Sequence, residues 1–261
     1  MDKLLFRQAV DSVTRTQSGQ DPSAGIGTLG EKTLHSVLKQ YFECDKNRHE
    51  VKLDGFVADI AADDKIIEIQ TRHFDKLRRK LTCFLTQYDV TIVYPVARTK
   101  WLIWIDDATG ECTKRRKSPK TGKLFEVLRE LYKIKSMLCD RHLCICIVLI
   151  DLVEYRYLNG WSQDGKKGST RHERIPIDIA DEIYIKSPAD YIKLIPATLP
   201  DSFTSKEYKA ATGLSQKAAQ TALNVLHAVN AVIRTGKSGN AYVYERSAGC
   251  RKVSCLNGIM P

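Results

Sequence analysis

The sequence predicts an α/β protein, with helices layered on a sheet, followed by a smaller module of different character. Two observations support this prediction. Between residues 29 and 106 the hydrophobic periodicity runs as one helix, three strands, one helix and two strands. After residue 198 an Ala-rich helical pattern and a Gly-marked strand pair follow. We therefore expect an N-terminal extension over residues 1–28, the α/β domain over 29–198, the C-terminal module over 199–246 and a tail over 247–261.

The first part of the chain predicts a short helix over Leu4–Val13 and then a polar loop, TQSGQDPSAGIGT. The ordered core is expected to begin after that loop. The next helix lies in LGEKTLHSVLKQYFE, where apolar residues recur at helical spacing. Glu31, His35 and Lys39 fall off this apolar stripe, so they are available for contacts outside the core.

The remaining elements of the α/β domain follow from the same periodicity and from Gly and Pro breaks. Strands are predicted in HEVKL, GFVADIAA and KIIEIQT, a helix in FDKLRRKLTCFL, and two separate strands in VTIVYPV and KWLIWID. A basic loop, KRRKSPKTGK, precedes a helix in LFEVLRELYKIKSML and an apolar strand in LCICIVLIDLVEYRYL. A long polar loop is predicted in NGWSQDGKKGSTRHER, and short elements in IPIDIADEIYIKSPADYIKLIPATLP.

Composition indicates a soluble protein with an anionic partner. The 261 residues are 43% hydrophobic, yet no apolar run approaches the ~18 residues of a membrane span. We therefore expect a cytoplasmic protein without a membrane partner. The 41 Lys and Arg against 31 Asp and Glu give a net charge of +10, which favours polyanions. The 8 cysteines lack CxxC pairs and are interpreted as reduced thiols, with a zinc site at Cys144 and Cys146, near Cys139 and His142, as a minor alternative.

Two acidic residues interrupt apolar strands in the segment DGFVADIAADDKIIEIQT. If residues 63–64 form a two-residue hairpin turn, Ala62 pairs with Lys65, and counting back pairs Asp59 with Glu68. Opposed residues have Cβ atoms ~4.5–5.5 Å apart, so two carboxylates repel there unless a cation or proton lies between them. Mg²⁺ or Mn²⁺ suits such oxygen ligands. The alternative is a half-exposed strand pair with outward acids, which the apolar residues on both faces disfavour.

With Glu31 on the preceding helix and EIQ at the end of the third strand, this segment resembles the PD-(D/E)XK nuclease superfamily over about residues 29–106. The resemblance implies a restriction-endonuclease-like mixed sheet flanked by helices. It also implies an endonuclease or exonuclease that hydrolyses phosphodiester bonds of DNA with Mg²⁺ or Mn²⁺ as cofactor. The implied catalytic residues are Glu31, Asp59, Glu68 and Gln70, and the implied metal ligands are Asp59, Glu68 and the main-chain carbonyl of Ile69.

The chain departs from the family pattern at Gln70, where the family usually has Lys. A Gln side chain supplies no positive charge to a transition state, so Arg72 or Lys52 would have to supply it. His35, one helical turn from Glu31, is interpreted as a surface histidine. Two other functions stay open: a non-catalytic DNA-binding regulator built on a nuclease-like scaffold, and a protein-interaction adaptor.

The C-terminal module predicts a helix, a turn, a second helix and a hairpin, the order of a winged helix-turn-helix. Gly213 permits the turn, and Ser215 is the predicted N-cap of the second helix. The predicted core stripe of that helix is Ala219, Leu223, Leu226 and Val229.

Basic and polar residues of three segments are expected to contact DNA, which is therefore the predicted partner. These segments are the stretch from Arg72 through the helix after the acidic hairpin, the basic loop and the C-terminal module. A homodimer is left open. The predicted nucleic-acid contacts are Arg72, Arg79, Lys114, Arg115, Arg116, Lys117, Ser215, Gln216, Lys217, Gln220 and Lys237.

Overall fold

The computed structural model describes residues 1–18, 32–160 and 170–247. It confirms the α/β class: a mixed sheet carries helices on both faces, and a small antiparallel sheet with two helices follows at the C-terminal end. No helix within the described ranges is long and apolar enough to cross a membrane.

The elements are numbered in chain order. The helices are α1 (Lys3–Ser18), α2 (Lys32–Phe42), α3 (Arg78–Phe84), α4 (Val127–Leu131), α5 (Ser205–Thr212) and α6 (Gln216–Ala228). The strands are β1 (His49–Leu53), β2 (Phe56–Ala62), β3 (Lys65–Ile69), β4 (Asp89–Ile105), β5 (Arg116–Lys117), β6 (Leu143–Tyr157), β7 (Arg171–Ile185), β8 (Ser202–Phe203), β9 (Val232–Ser238) and β10 (Ala241–Arg246). Short 3-10 helices cover Lys46–Arg48, Phe74–Leu77, Leu124–Glu126, Tyr132–Met137 and Pro188–Leu194.

The main sheet has the strand order β1-β2-β3-β4-β6-β7, and β5 pairs with the edge of β4. β3, β4 and β6 are parallel neighbours, whereas β1 with β2, β2 with β3, and β6 with β7 are antiparallel. The carboxyl end of β3 lies beside Val93, near the start of the much longer β4, because Ile69 pairs with Val93. Ligands of open α/β sheets commonly bind at the carboxyl ends of such strands.

Both faces of the central strands are buried. Along β4, Val90 and Ile92 belong to an apolar cluster with α3 and α4, while Val93 belongs to a second cluster with α1 and α2. Since successive strand residues point to opposite faces, this alternation requires a covered sheet. An acidic side chain in these strands is consequently taken out of water.

Three predictions about the order of elements are corrected. The two strands predicted in VTIVYPV and KWLIWID are one strand, β4, with a register shift between Ala97 and Thr99. The part of the predicted polar loop from Arg171 onward and the residues after it as far as Ile185 form the single long strand β7, and the 3-10 helix Pro188–Leu194 follows. The core does not begin after the N-terminal loop, because Phe6 of α1 is fully buried against α2.

The C-terminal region has the predicted order of two helices and a hairpin. Gly213 ends α5 with φ of 71°, and the Ser215 side chain caps α6 by accepting the Ala218 N–H at 3.2 Å. This region packs on α4 and shares its apolar cluster. The predicted core stripe of α6 is confirmed as buried, at Ala219, Leu223, Leu226 and Val229.

Candidate functional site

The acidic hairpin has the predicted register. Ala62 pairs with Lys65 and Ile60 with Ile67, which places Asp59 opposite Glu68 one step further along the two strands. At this position the two strands are linked by hydrogen bonds from backbone N–H groups to the side-chain carboxylates. Asp59 Oδ2 accepts the Ile69 N–H at 2.8 Å, and Glu68 Oε1 lies 3.4 Å from the Asp59 nitrogen. The two carboxylates therefore join the strands where they separate.

The Asp59 carboxylate is held in its charged form. His35 Nε2, from α2, lies 3.1 Å from Asp59 Oδ2. Burial by itself would raise the pKa of Asp59, but His35 and the Ile69 N–H outweigh burial and keep this pKa below its usual value. The His35 side chain is one-third exposed, as predicted for a surface histidine, and it also contacts the acid pair, which the sequence did not indicate.

Glu68 is in the opposite situation. Its carboxylate is 3% exposed, and Lys80 Nζ of α3 lies 2.5 Å from Oε2. Burial is the largest effect and the neighbouring Asp59 adds to it, so the pKa of Glu68 rises to about 7 although Lys80 opposes both. Glu68 thus changes charge near neutral pH, while Asp59 stays ionised.

Lys80 is the residue that the sequence interpretation misses. Lys52 is exposed on β1 and Arg72 lies beyond the end of β3, so neither takes the position beside the acids. The residue pattern of α3 does contain a signal for the role of Lys80. Lys80 lies three residues after the buried Leu77 and four before the buried Phe84, so it interrupts an apolar helix face. A Lys on such a face needs a buried anion, and Glu68 supplies it.

The chemistry of the acid pair fits a divalent cation only in part. Two adjacent, mostly buried carboxylates are suitable hard ligands, and a cation would relieve the repulsion that raises the pKa of Glu68. However, the described residues contain no group of three or more His, Cys, Asp or Glu side chains arranged for a metal. Glu31, the predicted supporting acid, lies outside the described residues. Lys80 also occupies the Oε2 side of Glu68 and would compete with a metal.

A cleft of about 440 Å³ opens beside the acid pair. His35, Gln70 and Arg72 line it, together with Ile69 and Arg171. The Gln70 side-chain amide donates to the main-chain carbonyl of Arg72, not to either carboxylate. Gln70 therefore borders the cleft without contacting Asp59 or Glu68.

A second cleft, of about 260 Å³, adjoins the first and shares Thr71 and Arg72 with it. The predicted basic loop leads into it: Arg116 and Lys117 form β5 on the edge of β4, and Lys120 lines the cleft. The other predicted contacts of this half are exposed outside both clefts. They are Arg79 on α3, Lys114, and Arg115, whose guanidinium stacks on Trp101 at 4.3 Å.

A polar groove of about 460 Å³ lies between α6 and the C-terminal hairpin. Gln216 and Gln220 line it opposite Tyr242 and Arg234, whose guanidinium lies 4.2 Å from the Tyr242 ring. Of the predicted contacts, Ser215, Lys217 and Lys237 are exposed and lie outside the groove lining.

The minor zinc alternative has no support in the geometry. His142 Nδ1 lies 2.7 Å from Asp89 Oδ1, and Cys139 is a free, exposed cysteine. The other described cysteines are free thiols as well, whereas Cys250 and Cys255 lie outside the described residues.

The part of the chain that matches a known protein family includes the residues that line both clefts. No solved structure matches the chain. A protein of Treponema pallidum (strain Nichols), named only as an uncharacterized protein, is 33% identical over 150 residues, which are 57% of each chain. The chain thus matches little more than half the length of this relative. The model of a domain of unknown function, DUF8091, matches residues 32–186, which include Asp59, Glu68, Lys80 and all of β3 to β7. Since this match covers more than half of the chain, the protein belongs to the DUF8091 family.

Proposed function

We propose that this protein is a divalent-metal-dependent nuclease that hydrolyses phosphodiester bonds of DNA. In this proposal the main sheet is of the restriction-endonuclease-like type, and the C-terminal helices and hairpin are a winged helix-turn-helix that contacts DNA. The observation that carries the proposal is the pairing of Asp59 and Glu68 at the carboxyl end of β3, with Lys80 Nζ 2.5 Å from Glu68 and a basic cleft alongside.

In this proposal each residue of the site has a separate role. Asp59 and Glu68 would hold Mg²⁺ or Mn²⁺, which supplies an activated water and neutralises charge on the phosphate. Lys80 supplies the positive charge that Gln70 lacks, since its ammonium group already lies against Glu68. His35 keeps Asp59 oriented and ionised, and Arg72 attracts the phosphate backbone along the cleft.

The test is cleavage by the full chain of linear, plasmid and branched DNA with Mg²⁺ or Mn²⁺. We expect Asp59→Asn and Glu68→Gln each to lower the cleavage rate by at least about 10²-fold. Asp64→Asn is the matched control, because Asp64 is an exposed acid in the same hairpin. Cleavage that persists unchanged in both site variants would assign the activity to a contaminant and refute the proposal.

One observation favours a second function, a non-catalytic DNA-binding regulator. Lys80 contacts Glu68 and His35 contacts Asp59, so each carboxylate has a partner from the protein itself without a metal. Calorimetric titration of the purified chain with Mg²⁺ separates the two functions. DNA binding without any heat of Mg²⁺ binding at millimolar concentration would favour the regulator.

A further inference from the structure

A second buried carboxylate, Glu154 of β6, lies at the centre of a basic cluster. Its side chain is 0% exposed. Four cationic side chains surround it: the distances to its oxygens are 2.5 Å from Arg156, 3.1 Å from Arg174, 3.4 Å from Lys100 and 3.5 Å from Arg171. We call these five residues the Glu154 cluster. Four positive charges against one negative charge leave this cluster with an excess of three.

This excess faces the two clefts beside the acid pair. Arg171 lines the first cleft, with His35 and Gln70, and Lys100 and Arg174 line the second. Arg72 lines both, and Lys120 adds another exposed cation to the second. The lining of the second cleft includes one acid, Glu126, whose Oε1 already accepts the N–H of Lys123 at 3.1 Å. The continuous surface from His35 to Lys120 is therefore strongly basic.

Several donors of this surface are unused. The guanidinium of Arg174 binds Glu154 through Nε, and its two outer nitrogens make no hydrogen bond to a described residue. The Nε of Arg171 is buried and also lacks a hydrogen bond within the described part of the chain, although it is near Glu154. Arg72 and Lys120 form no ion pair with any described residue. An anion with several acceptor oxygens would satisfy these donors, as a phosphate group does.

We propose that the Glu154 cluster, with Arg72 and Lys120, is a phosphate subsite that holds a nucleic-acid strand whose neighbouring phosphate lies at Asp59 and Glu68. The proposal builds on the proposed nuclease function and adds a position for the strand on one defined side of the acid pair. Two connected clefts suit a polymer better than a single free anion. The phosphate is either a strand terminus or an internal phosphodiester, and the two differ in charge.

Fluorescence anisotropy with short single-stranded DNA in EDTA tests this subsite without metal or cleavage. The test variant is Arg72→Gln with Lys120→Gln, since both side chains are exposed and Glu154 keeps its own partners. Lys46→Gln with Lys65→Gln removes the same charge from exposed positions outside both clefts and serves as the matched control. Oligonucleotides carrying a 5′-phosphate, a 3′-phosphate or only hydroxyl ends distinguish the two sources of phosphate.

We expect the test variant to bind roughly tenfold more weakly than the control. The slope of log affinity against log salt concentration should also be shallower by about 0.7 for each phosphate that the variant no longer neutralises. If the subsite holds a terminal phosphate, removing that phosphate from the DNA weakens wild-type binding but leaves the variant unaffected. If it holds an internal phosphodiester, all three oligonucleotides bind the variant more weakly by the same factor. Affinity and salt dependence equal to those of the control would overturn the proposal.

The experiments distinguish failure of the phosphate subsite from failure of the nuclease function. Binding is measured in EDTA and repeated in Asp59→Asn, so a protein without cleavage activity can still show the subsite. Conversely, metal-dependent cleavage combined with control-like binding by the Arg72 and Lys120 variant would refute the subsite and leave the nuclease function standing.

Discussion

Glu68 and Glu154 are both buried acids of the central sheet, but their surroundings shift their pKa values in opposite directions. Glu68 has one cation, Lys80, and a neighbouring acid, Asp59; burial and Asp59 raise its pKa to about 7. Burial also acts to raise the pKa of Glu154, but the four cations, led by Arg174, outweigh it and hold this pKa at about 2. The difference lies in the balance of charge around each acid.

This contrast gives the two regions opposite electrostatic preferences. At Glu68 the negative charges outnumber what Lys80 can compensate, so an added cation is favourable. Around Glu154 positive charges are in excess, and burial together with the neighbouring cations lowers the pKa of both Lys100 and Arg171. An added anion is favourable there. A metal-bound phosphate strand satisfies both requirements at once.

The largest effect is expected from removing the Glu154 charge. Glu154→Gln leaves four cations crowded in a partly buried site, which costs about 3–5 kcal/mol of the free energy of unfolding. Glu68→Gln at pH 6 should cost less than about 1 kcal/mol, because Glu68 with a pKa of about 7 already holds a proton there. Urea unfolding of both variants measures the difference. Equal destabilisation would mean that the two acids are not in different electrostatic states.

The pH dependence of the stability of Lys80→Met tests the electrostatic state of Glu68 directly. The folded pKa of Glu68, about 7, is above the ordinary value of 4.5, so the stability that this group contributes is present at low pH and lost as pH rises. Without Lys80 the folded pKa rises further. The variant should therefore resemble the wild type near pH 6 and lose about 2 kcal/mol by pH 8.5, at about 1.36 kcal/mol per pKa unit.

Urea unfolding at the two pH values measures this effect. A loss of stability in Lys80→Met that is the same at pH 6 and pH 8.5 would show that Lys80 acts through packing rather than through the charge of Glu68.

Gly122→Ala should disturb the basic cleft and spare the acid pair. A Cβ atom at residue 122 would lie 2.4 Å from the Ala97 carbonyl oxygen, so the loop that carries Lys120 must move. We expect a loss of about 1–3 kcal/mol in unfolding free energy and weaker binding to DNA in EDTA. Gly236→Ala is the stability control, because its Cβ would have no atom within 4 Å. If Gly122→Ala is destabilised but binds DNA as the wild type does, the loop that carries Lys120 does not contribute to the proposed phosphate subsite.

The sequence predicts the acid pair because the hairpin is local. A period of two residues and a two-residue turn fix the register, so Asp59 and Glu68 follow from counting. Lys80 cannot be assigned in this way, because its contact with Glu68 depends on how α3 packs against the sheet. The Glu154 cluster is even harder to predict from the sequence, because Lys100 and Arg174 are 54 and 20 residues away from Glu154.

The error at β4 has a physical reason as well. In the sequence, Arg98 lies in the short segment between the two predicted strands. In the structure the register shift between Ala97 and Thr99 accommodates Arg98, whose Nη2 lies 2.6 Å from Asp151 Oδ2 on β6. Charge in the middle of this strand therefore marks a cross-strand ion pair. The same interpretation, applied to Glu154 in its apolar strand, would indicate a buried cationic partner.

The smallest expected effect is a metal-induced stabilisation that depends on the state of Glu68. Below pH 7 the proton on Glu68 competes with Mg²⁺, so the ion should stabilise the protein more at pH 8 than at pH 6. At about ten times its Kd, Mg²⁺ adds about 1.4 kcal/mol, which raises Tm by about 3–6 °C.

Differential scanning fluorimetry at both pH values measures the shift in Tm, with EDTA as the baseline. Asp59→Asn should abolish the shift, whereas the Arg72 and Lys120 variant should keep it, because those two cations belong to the proposed phosphate subsite and not to the acid pair. An equal Tm shift at pH 6 and pH 8, or one that survives in Asp59→Asn, would place the Mg²⁺ elsewhere on the protein. Glu68 would then be an acid compensated by Lys80 alone, and its raised pKa would have no role in metal binding.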